Sequence, residues 1–252
     1  MRVDDLSSAG NVVARALPPP ADGVHVWWRE LHADDRIDPG FVALLSQAER
    51  ARAERFGTPL LRARYVAGRA TLRLLLGRCL GIDAADVPIA RGRRGRPYVE
   101  RDGAPDFNVS HTRDAAIIAL STRGPVGVDL ERGDRSVDAA RLARKFATAR
   151  ERAVMAALGD DDVRRRFLRL WTCKEAMSKA TGDGLAAPMG KLDVDVDASA
   201  LRLVDGPAPY VPADWSLVAL DVPATHMATA ALWRPSTGEP REATSPALPA
   251  AR

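Results

Sequence analysis

Helical periodicity that gives way, once in each half of the chain, to short apolar runs punctuated by glycine and proline predicts an α+β fold. Segments 40–56 and 60–80 carry apolar residues at helical spacing, as do 137–146, 148–158 and 161–181, and strand-like runs follow at 107–131 and 191–233. A length of 252 residues with 46% hydrophobic content suffices for one large domain or two small lobes with a proper core.

In chain order, residues 1–20 end in Pro18-Pro19-Pro20 without periodicity and predict a flexible leader. Residues 24–28 read as a strand. The helix over 60–80 carries the stripe Leu72, Leu75, Leu76 and Leu80, and Gly81 is placed to stop it. Residues 83–106 are rich in arginine, glycine and proline, with Pro97-Tyr98-Val99 as a short strand. The densest strand signal follows at 107–109, 115–121 and 126–131, with turns at 112–114 and 123–125. The helical run over 161–181 is the longest in the chain and ends at Gly182. Short strands are expected near 191–197, 200–205, 215–221 and 226–233, and the Pro/Ser/Thr/Ala-rich stretch 235–252 predicts a disordered tail. No sequence repeat is strong enough to prove an internal duplication.

Composition narrows the function classes. No apolar run approaches the roughly 18–20 residues needed to span a bilayer, and the N-terminus lacks a basic start followed by an apolar block, so the chain reads as cytoplasmic with no membrane partner. Cys79 and Cys173 have no second cysteine or histidine at metal-ligand spacing and read as free thiols. The net charge is +4, and only Lys145, Lys174, Lys179 and Lys191 among the cations are lysines. That balance suits phosphate-rich or acidic partners, and equally an arginine-biased proteome. Aromatic residues, at 5%, do not interleave with the arginines, which argues against single-stranded nucleic acid. No P-loop, G-x-G-x-x-G, H-E-x-x-H or G-x-S-x-G motif stands in a suitable context.

Several constellations carry chemistry. In Val126-Gly127-Val128-Asp129-Leu130-Glu131, the two carboxylates are two apart on a strand and share a face. Side by side they repel unless a cation sits between them, and oxygen-only ligands favour Mg²⁺ or Mn²⁺; the plain alternative is a solvated edge balanced by Arg132. On the long helix, Trp171, Glu175 and Lys179 are spaced four apart and lie on one face, either as a surface ion pair or as a covered functional stripe. Phe107-Asn108-Val109-Ser110-His111-Thr112 ends a strand with a hydroxyl and an imidazole, where ligands are often held, although a satisfied turn histidine is commoner. Arg62, Arg64 and Arg69 precede the leucine stripe, and Arg93-Arg94-Gly95-Arg96-Pro97-Tyr98 pairs guanidiniums with a flexible glycine; solvated arginines are the ordinary reading of both.

Taken in order, Gly95-Arg96-Pro97, Phe107-Asn108-Val109-Ser110-His111, Val126-Gly127-Val128-Asp129-Leu130-Glu131, the run from Phe146 to Glu151, and Trp171-Thr172-Cys173-Lys174-Glu175-Ala176-Met177-Ser178-Lys179 resemble the Sfp-type 4′-phosphopantetheinyl transferases. The resemblance implies two similar lobes in a pseudo-two-fold arrangement, 21–124 and 125–234, each an antiparallel sheet packed with helices, with the active site in the cleft between them. It implies Mg²⁺, with Mn²⁺ as a substitute, on Asp129, Glu131 and Glu175. It also implies coenzyme A as substrate against Arg62, Arg69, Arg96, Pro97, Ser110, His111, Lys174 and Lys179, with Arg64 as a further helper. Asp129, Glu175 and Lys179 would be catalytic, Glu175 taking the proton of a carrier-protein serine. Arg96 departs from the lysine common in the family and imposes a forked geometry. The implied partner is an apo acyl or peptidyl carrier protein, without nucleic acid, and the two-lobe length suggests a monomer. The rival readings are another coenzyme A enzyme of N-acetyltransferase type, prompted by Arg93-Arg94-Gly95-Arg96, and a basic nucleic-acid-binding module, prompted by the arginine content.

Overall fold

The structure is a computed structural model and describes residues 6–8, 11–31, 34–92, 94–196 and 200–236. The first lobe opens with strands β1 (Leu6–Ser8), β2 (Asn11–Ala21) and β3 (Val24–Glu30), then helices α1 (Pro39–Leu44), α2 (Gln47–Glu54) and α3 (Pro59–Leu80). Strands β4 (Ile89–Arg91), β5 (Pro97–Val99), β6 (Asp106–His111) and β7 (Ala115–Ser121) complete it. Its main sheet is antiparallel with order β1-β2-β3-β7-β6, and β4 and β5 form a separate hairpin. The second lobe runs through β8 (Val126–Arg132), α4 (Ala139–Phe146), α5 (Ala149–Met155) and α6 (Asp160–Thr181) to β9 (Asp193–Asp195), β10 (Arg202–Asp205), β11 (Trp215–Ala219) and β12 (His226–Trp233). Its antiparallel sheet has order β11-β12-β8, beside a β9-β10 ribbon.

Part of the expected leader is structured. Residues 11–20 belong to β2, which places Val13 and Leu17 in the core. The prolines obscure this in sequence because Pro18, Pro19 and Pro20 occupy the stretch between Leu17 and Ala21 where pairing with β3 slips register, so their missing N–H groups interrupt no regular ladder. Residues 1–5 and 9–10 of that leader, and 237–252 of the expected tail, lie outside the described residues. The helical stretch 40–56 is two helices, because Ser46 starts α2 afresh with a capping box closed by Glu49.

The two lobes repeat one plan that the sequence conceals. In each, a short helix with a capping box (Ser46 with Glu49, Thr148 with Glu151) precedes a 22-residue helix that ends at a left-handed glycine, Gly81 or Gly182. In each, the capping-box glutamate is buried and bound by a cation of the long helix, Arg73 or Lys174, fourteen residues beyond that helix's first residue. Helix α3 packs Leu72, Leu75 and Leu76 against Trp27, Phe107, Ile118 and Leu120 of the first sheet. Helix α6 packs Phe167, Leu170, Cys173 and Met177 against Leu217 and Ala231 of the second.

The lobes meet along a seam that combines an apolar core with polar stitching. Val24, Val26, Ile117 and Ala119 share one buried cluster with Val126, Val128, Leu130 and Ala230. Strands β6 and β8 are the edges of their sheets, and β6 offers side-chain acceptors to the β8 backbone. Val126 N–H donates to Asp106 Oδ2 at 2.8 Å, Val128 N–H to Asn108 Oδ1 at 3.0 Å and Leu130 N–H to Ser110 Oγ at 3.2 Å. Polar residues at period two on β6 therefore satisfy edge donors that would otherwise be buried unpaired. That seam fixes the position of Ser110 against β8.

Candidate active site at the lobe seam

The alternation of β8 sorts its side chains. Val126, Val128 and Leu130 enter the interlobe core, which leaves Gly127, Asp129 and Glu131 on the face covered by α6. Gly127 is where the helix crosses, since a Cβ there would lie 1.9 Å from Ala176 O and 2.6 Å from Ala180 N. This close approach lets the Trp171, Glu175 and Lys179 stripe of α6 run alongside Asp129 and Glu131. All five residues, with Ser110 and His111, line one cavity of about 850 Å³.

Asp129 is the buried centre of the cluster. Its Oδ1 accepts from Lys179 Nζ at 2.6 Å and from Ser110 Oγ at 2.9 Å, and Lys179 Nζ also donates to Ser110 Oγ at 2.9 Å and Val128 O at 3.3 Å. Asp129 Oδ2 is buried without a hydrogen-bond partner. Burial, then the charge of Asp129, pushes the carboxyls of both Glu131 and Glu175 above the usual range, which registers three like charges facing one space. Arg135 pairs with Glu131. Crowding around the ring, then the charge of Lys179, holds the His111 imidazole below its ordinary value and favours its neutral form.

Among the described residues no three His, Cys, Asp or Glu side chains are already drawn together as a ready metal cluster. The donor set nevertheless fits a hard cation: the carboxylates offer oxygen alone, and an orphaned buried oxygen sits in their midst.

The comparisons with known proteins agree with this geometry. Residues 125–229 match the 4′-phosphopantetheinyl transferase superfamily, and residues 39–123 match a family described as the N-terminal part of 4′-phosphopantetheinyl transferases. The 4′-phosphopantetheinyl transferase HetI of Nostoc sp. is 37% identical over 179 residues, covering 68% of this chain and 76% of the relative. The chain belongs to the 4′-phosphopantetheinyl transferase family. The 4′-phosphopantetheinyl transferase Sfp of Bacillus subtilis is 25% identical over 154 residues, 61% of this chain and 67% of the relative.

In this phosphopantetheinyl transferase, several residues expected at coenzyme A's phosphates are engaged elsewhere. Lys174 is 1% exposed and its ammonium is fully used, donating to Glu151 Oε2 at 2.6 Å, Phe146 O at 2.8 Å and Met189 O at 3.0 Å. It faces a different side of α6 from Glu175, because adjacent helical positions are turned by roughly 100°; here its ammonium acts as a buried brace. Arg96 is engaged likewise. Its fork clasps Asp106 with bonds of 2.8 and 2.7 Å, while Nε donates to Lys179 O at 2.8 Å and Nη2 to Val126 O at 3.1 Å. It ties β6, β8 and the end of α6 together and holds the backbone of Lys179.

Pro97 begins β5 and, like Arg62, Arg64 and Arg69, is outside the lining of this cavity. Arg69 bonds Glu49 at 2.5 Å, and Arg62 pairs with Glu54 at the surface. Arg93 lies outside the described residues, and Arg94 pairs with Asp183. The arginine-glycine loop that prompted the N-acetyltransferase reading is thus committed in part to bracing the seam. Cys173 is buried, and burial pushes its thiol up to about 12, so the neighbouring Lys174 does not activate it.

Sequence reasoning missed the polar frame of the cavity. Arg132 Nη1 pairs with Asp114 in the turn after β6, and His226 Nε2 lies 3.2 Å from Asp114 Oδ1, so one aspartate of the first lobe anchors two residues of the second. The alternation Asp106, Asn108, Ser110 on β6 is the sequence signal that could have pointed to the seam.

Proposed function

We propose that this phosphopantetheinyl transferase moves the phosphopantetheine arm of coenzyme A onto a serine of an apo acyl or peptidyl carrier protein in the cytoplasm, with Mg²⁺ held by Asp129, Glu131 and Glu175. The observation that carries the reading is the convergence of those carboxylates with Lys179, Ser110 and His111 on one cavity at the lobe seam. A divalent cation bound there would neutralise the diphosphate and make the attacked phosphorus more electrophilic.

The chain's own residues supply the rest. The carrier serine Oγ forms a bond to the β-phosphorus, the bond from that phosphorus to the bridging oxygen breaks, and 3′,5′-ADP leaves with the electron pair. Glu175 takes the serine proton; burial and the charge of Asp129 raise its carboxyl toward a more basic range. Lys179, held by Asp129 and Ser110 at the cavity wall, offers its ammonium to the departing phosphate. Neutral His111 and the Ser110 hydroxyl orient the diphosphate by hydrogen bonding, and Trp171 forms an apolar wall.

The test is incubation with coenzyme A and a panel of apo carrier proteins, with Mg²⁺ or with EDTA, read by mass spectrometry of the carrier. A mass gain of one phosphopantetheine unit with Mg²⁺ alone is expected. Asp129→Ala and Glu175→Ala should each lower turnover by about 10³-fold or more with the fold intact. Near-normal rates in both would refute the site.

A further inference from the structure

The residues that meet at the cavity are carried by two lobes. Ser110 and His111 stand on β6 of the first, while Asp129, Glu131, Glu175 and Lys179 belong to the second. Among the described residues, the last hydrogen bond from the β8 backbone to β6 is that of Leu130 N–H to Ser110 Oγ, so His111 and Glu131 each lie one residue beyond the stitched part of the seam. Just past them, the turn after β6 presents the Asp114 carboxylate to Arg132 and His226. We propose that Asp114 is a positioning residue for the transfer: by holding Arg132 and His226 across the seam, it fixes Glu131 against Ser110 and His111. The inference rests on the transferase reading above and extends it to a residue outside the cavity's lining.

Both sides of the contact are aligned in advance. Leu31 N–H donates to Asp114 O at 2.8 Å, which ties the turn to the end of β3, and Thr112 Oγ1 donates to Asp114 Oδ1 at 2.9 Å. Across the seam, Arg132 clasps Asp134 through Nε at 2.7 Å and Nη2 at 2.5 Å, which leaves Nη1 for Asp114. His226 stands opposite Arg132 in the β12–β8 ladder, and its buried ring meets Trp28 of the first lobe edge to face at 5.0 Å between centroids. A carboxylate only accepts, so His226 Nε2 carries the proton that faces Asp114. Arg132 is the chain neighbour of Glu131, and His226 is next to Met227, which pairs with Glu131 across the ladder. One first-lobe carboxylate therefore grips both strands beside Glu131.

The seam is thus closed at each end by an ion pair, Arg96 with Asp106 where β6 and β8 begin and Arg132 with Asp114 where they finish. Between the clasps, β6 reaches the β8 backbone through side chains rather than through a backbone ladder, so the far ends are free to part once the second clasp is lost. The nearby cross-lobe pair of Arg113 and Asp134, at 3.6 Å, is exposed on both sides and holds little. A shift of about 1 Å in a reacting group costs about 10²-fold in rate, and losing a group that orients a metal-binding carboxylate costs about 10-fold or more in metal affinity. The effect of Asp114 should accordingly appear in catalysis and in cation binding together.

The experiment combines steady-state transfer to an apo acyl carrier protein, well below the melting temperature, with calorimetric titration of the protein with Mn²⁺. Asp114→Ala should lower kcat about tenfold or more and weaken Mn²⁺ binding about tenfold, with KM for coenzyme A within about threefold. Asp114→Asn, which keeps the shape of the side chain and still accepts a hydrogen bond, should lie between it and wild type, with circular dichroism reporting the fold. Arg73→Met is the structural comparison: Arg73 braces the first lobe through Glu49, and its loss should lower the melting temperature while leaving kcat and Mn²⁺ binding within about twofold. Folded Asp114 variants that show this same pattern overturn the positioning role. So does a loss confined to KM for coenzyme A. If the wild-type chain modifies no carrier, the transferase reading fails by itself. The Mn²⁺ titration then decides the positioning role: weaker binding in Asp114→Ala supports it, and binding absent or unaltered overturns it.

Discussion

Replacing Lys174 by methionine keeps much of the side chain's volume and removes its charge, and the structure fixes what that costs. Lys174 and Glu151 are 1% and 3% exposed, so the lost cation leaves a carboxylate in the core of the second lobe. Glu151 keeps two backbone donors, Thr148 N–H at 2.7 Å and Val194 N–H at 2.8 Å, while Phe146 O and Met189 O lose theirs. Stranding one member of a buried pair costs about 3–5 kcal/mol. At about 2–4 °C per kcal/mol for a chain of this size, the melting temperature should fall by about 6–20 °C. Thermal melting followed by circular dichroism measures this, and KM for coenzyme A in the remaining folded enzyme should stay within about twofold. Lys174→Met/Glu151→Gln should recover part of the loss, since no uncompensated charge remains. Arg73→Met, the corresponding change in the first lobe, should cost less, because Glu49 keeps its bond to Arg69. A Lys174→Met enzyme that melts like wild type but binds coenzyme A tenfold more weakly would refute the brace and return this lysine to the phosphates.

Three further expectations follow from other parts of the fold. Burial pushes the Glu49 carboxyl up, but the Arg73 hydrogen bond, the charge of Arg69 and the Ser46 N–H hold it below its ordinary value. Its contribution is therefore complete above the unfolded carboxyl range near about pH 4.3 and is lost as pH falls through the lower folded value; in Glu49→Gln, denaturant unfolding between about pH 5 and pH 3 should show a flatter dependence of stability on pH, and an unaltered slope counts against the pairing. Gly127→Ala should destabilise by about 3 kcal/mol or more, because the methyl group meets helix backbone that must shift bodily, and a native melting temperature would contradict the crossing. Arg96→Lys should cost about 2 kcal/mol by replacing a fork that serves Asp106, Val126 O and Lys179 O with a single ammonium; a loss seen only in KM for coenzyme A would restore its role at phosphate.

Local pattern made much of this protein readable in advance. The 22-residue helix ending at Gly182, the strand pair of carboxylates at Asp129 and Glu131, and the four-residue spacing of Trp171, Glu175 and Lys179 are consequences of periodicity, which a single sequence displays directly. The order of helices and strands likewise predicted an α+β chain, and the motif resemblance anticipated the family.

Tertiary structure decided which cations were free to act. Lys174 and Lys179 stand on the same helix beside the same glutamate, and sequence gave no means of separating them. Packing turned one toward Glu151 in the core and the other toward Asp129 in the cavity. Arg96 was spent in the same manner on Asp106, and β2 survived its prolines because a register slip absorbed them. The repeated plan of the two lobes was equally hidden, since Arg73 and Lys174 bind the capping-box glutamates with different side chains. The physical reason is common to all of these: a charged group's role depends on which opposite charge lies within hydrogen-bond reach, and that distance is set by long-range packing rather than by neighbours in the chain.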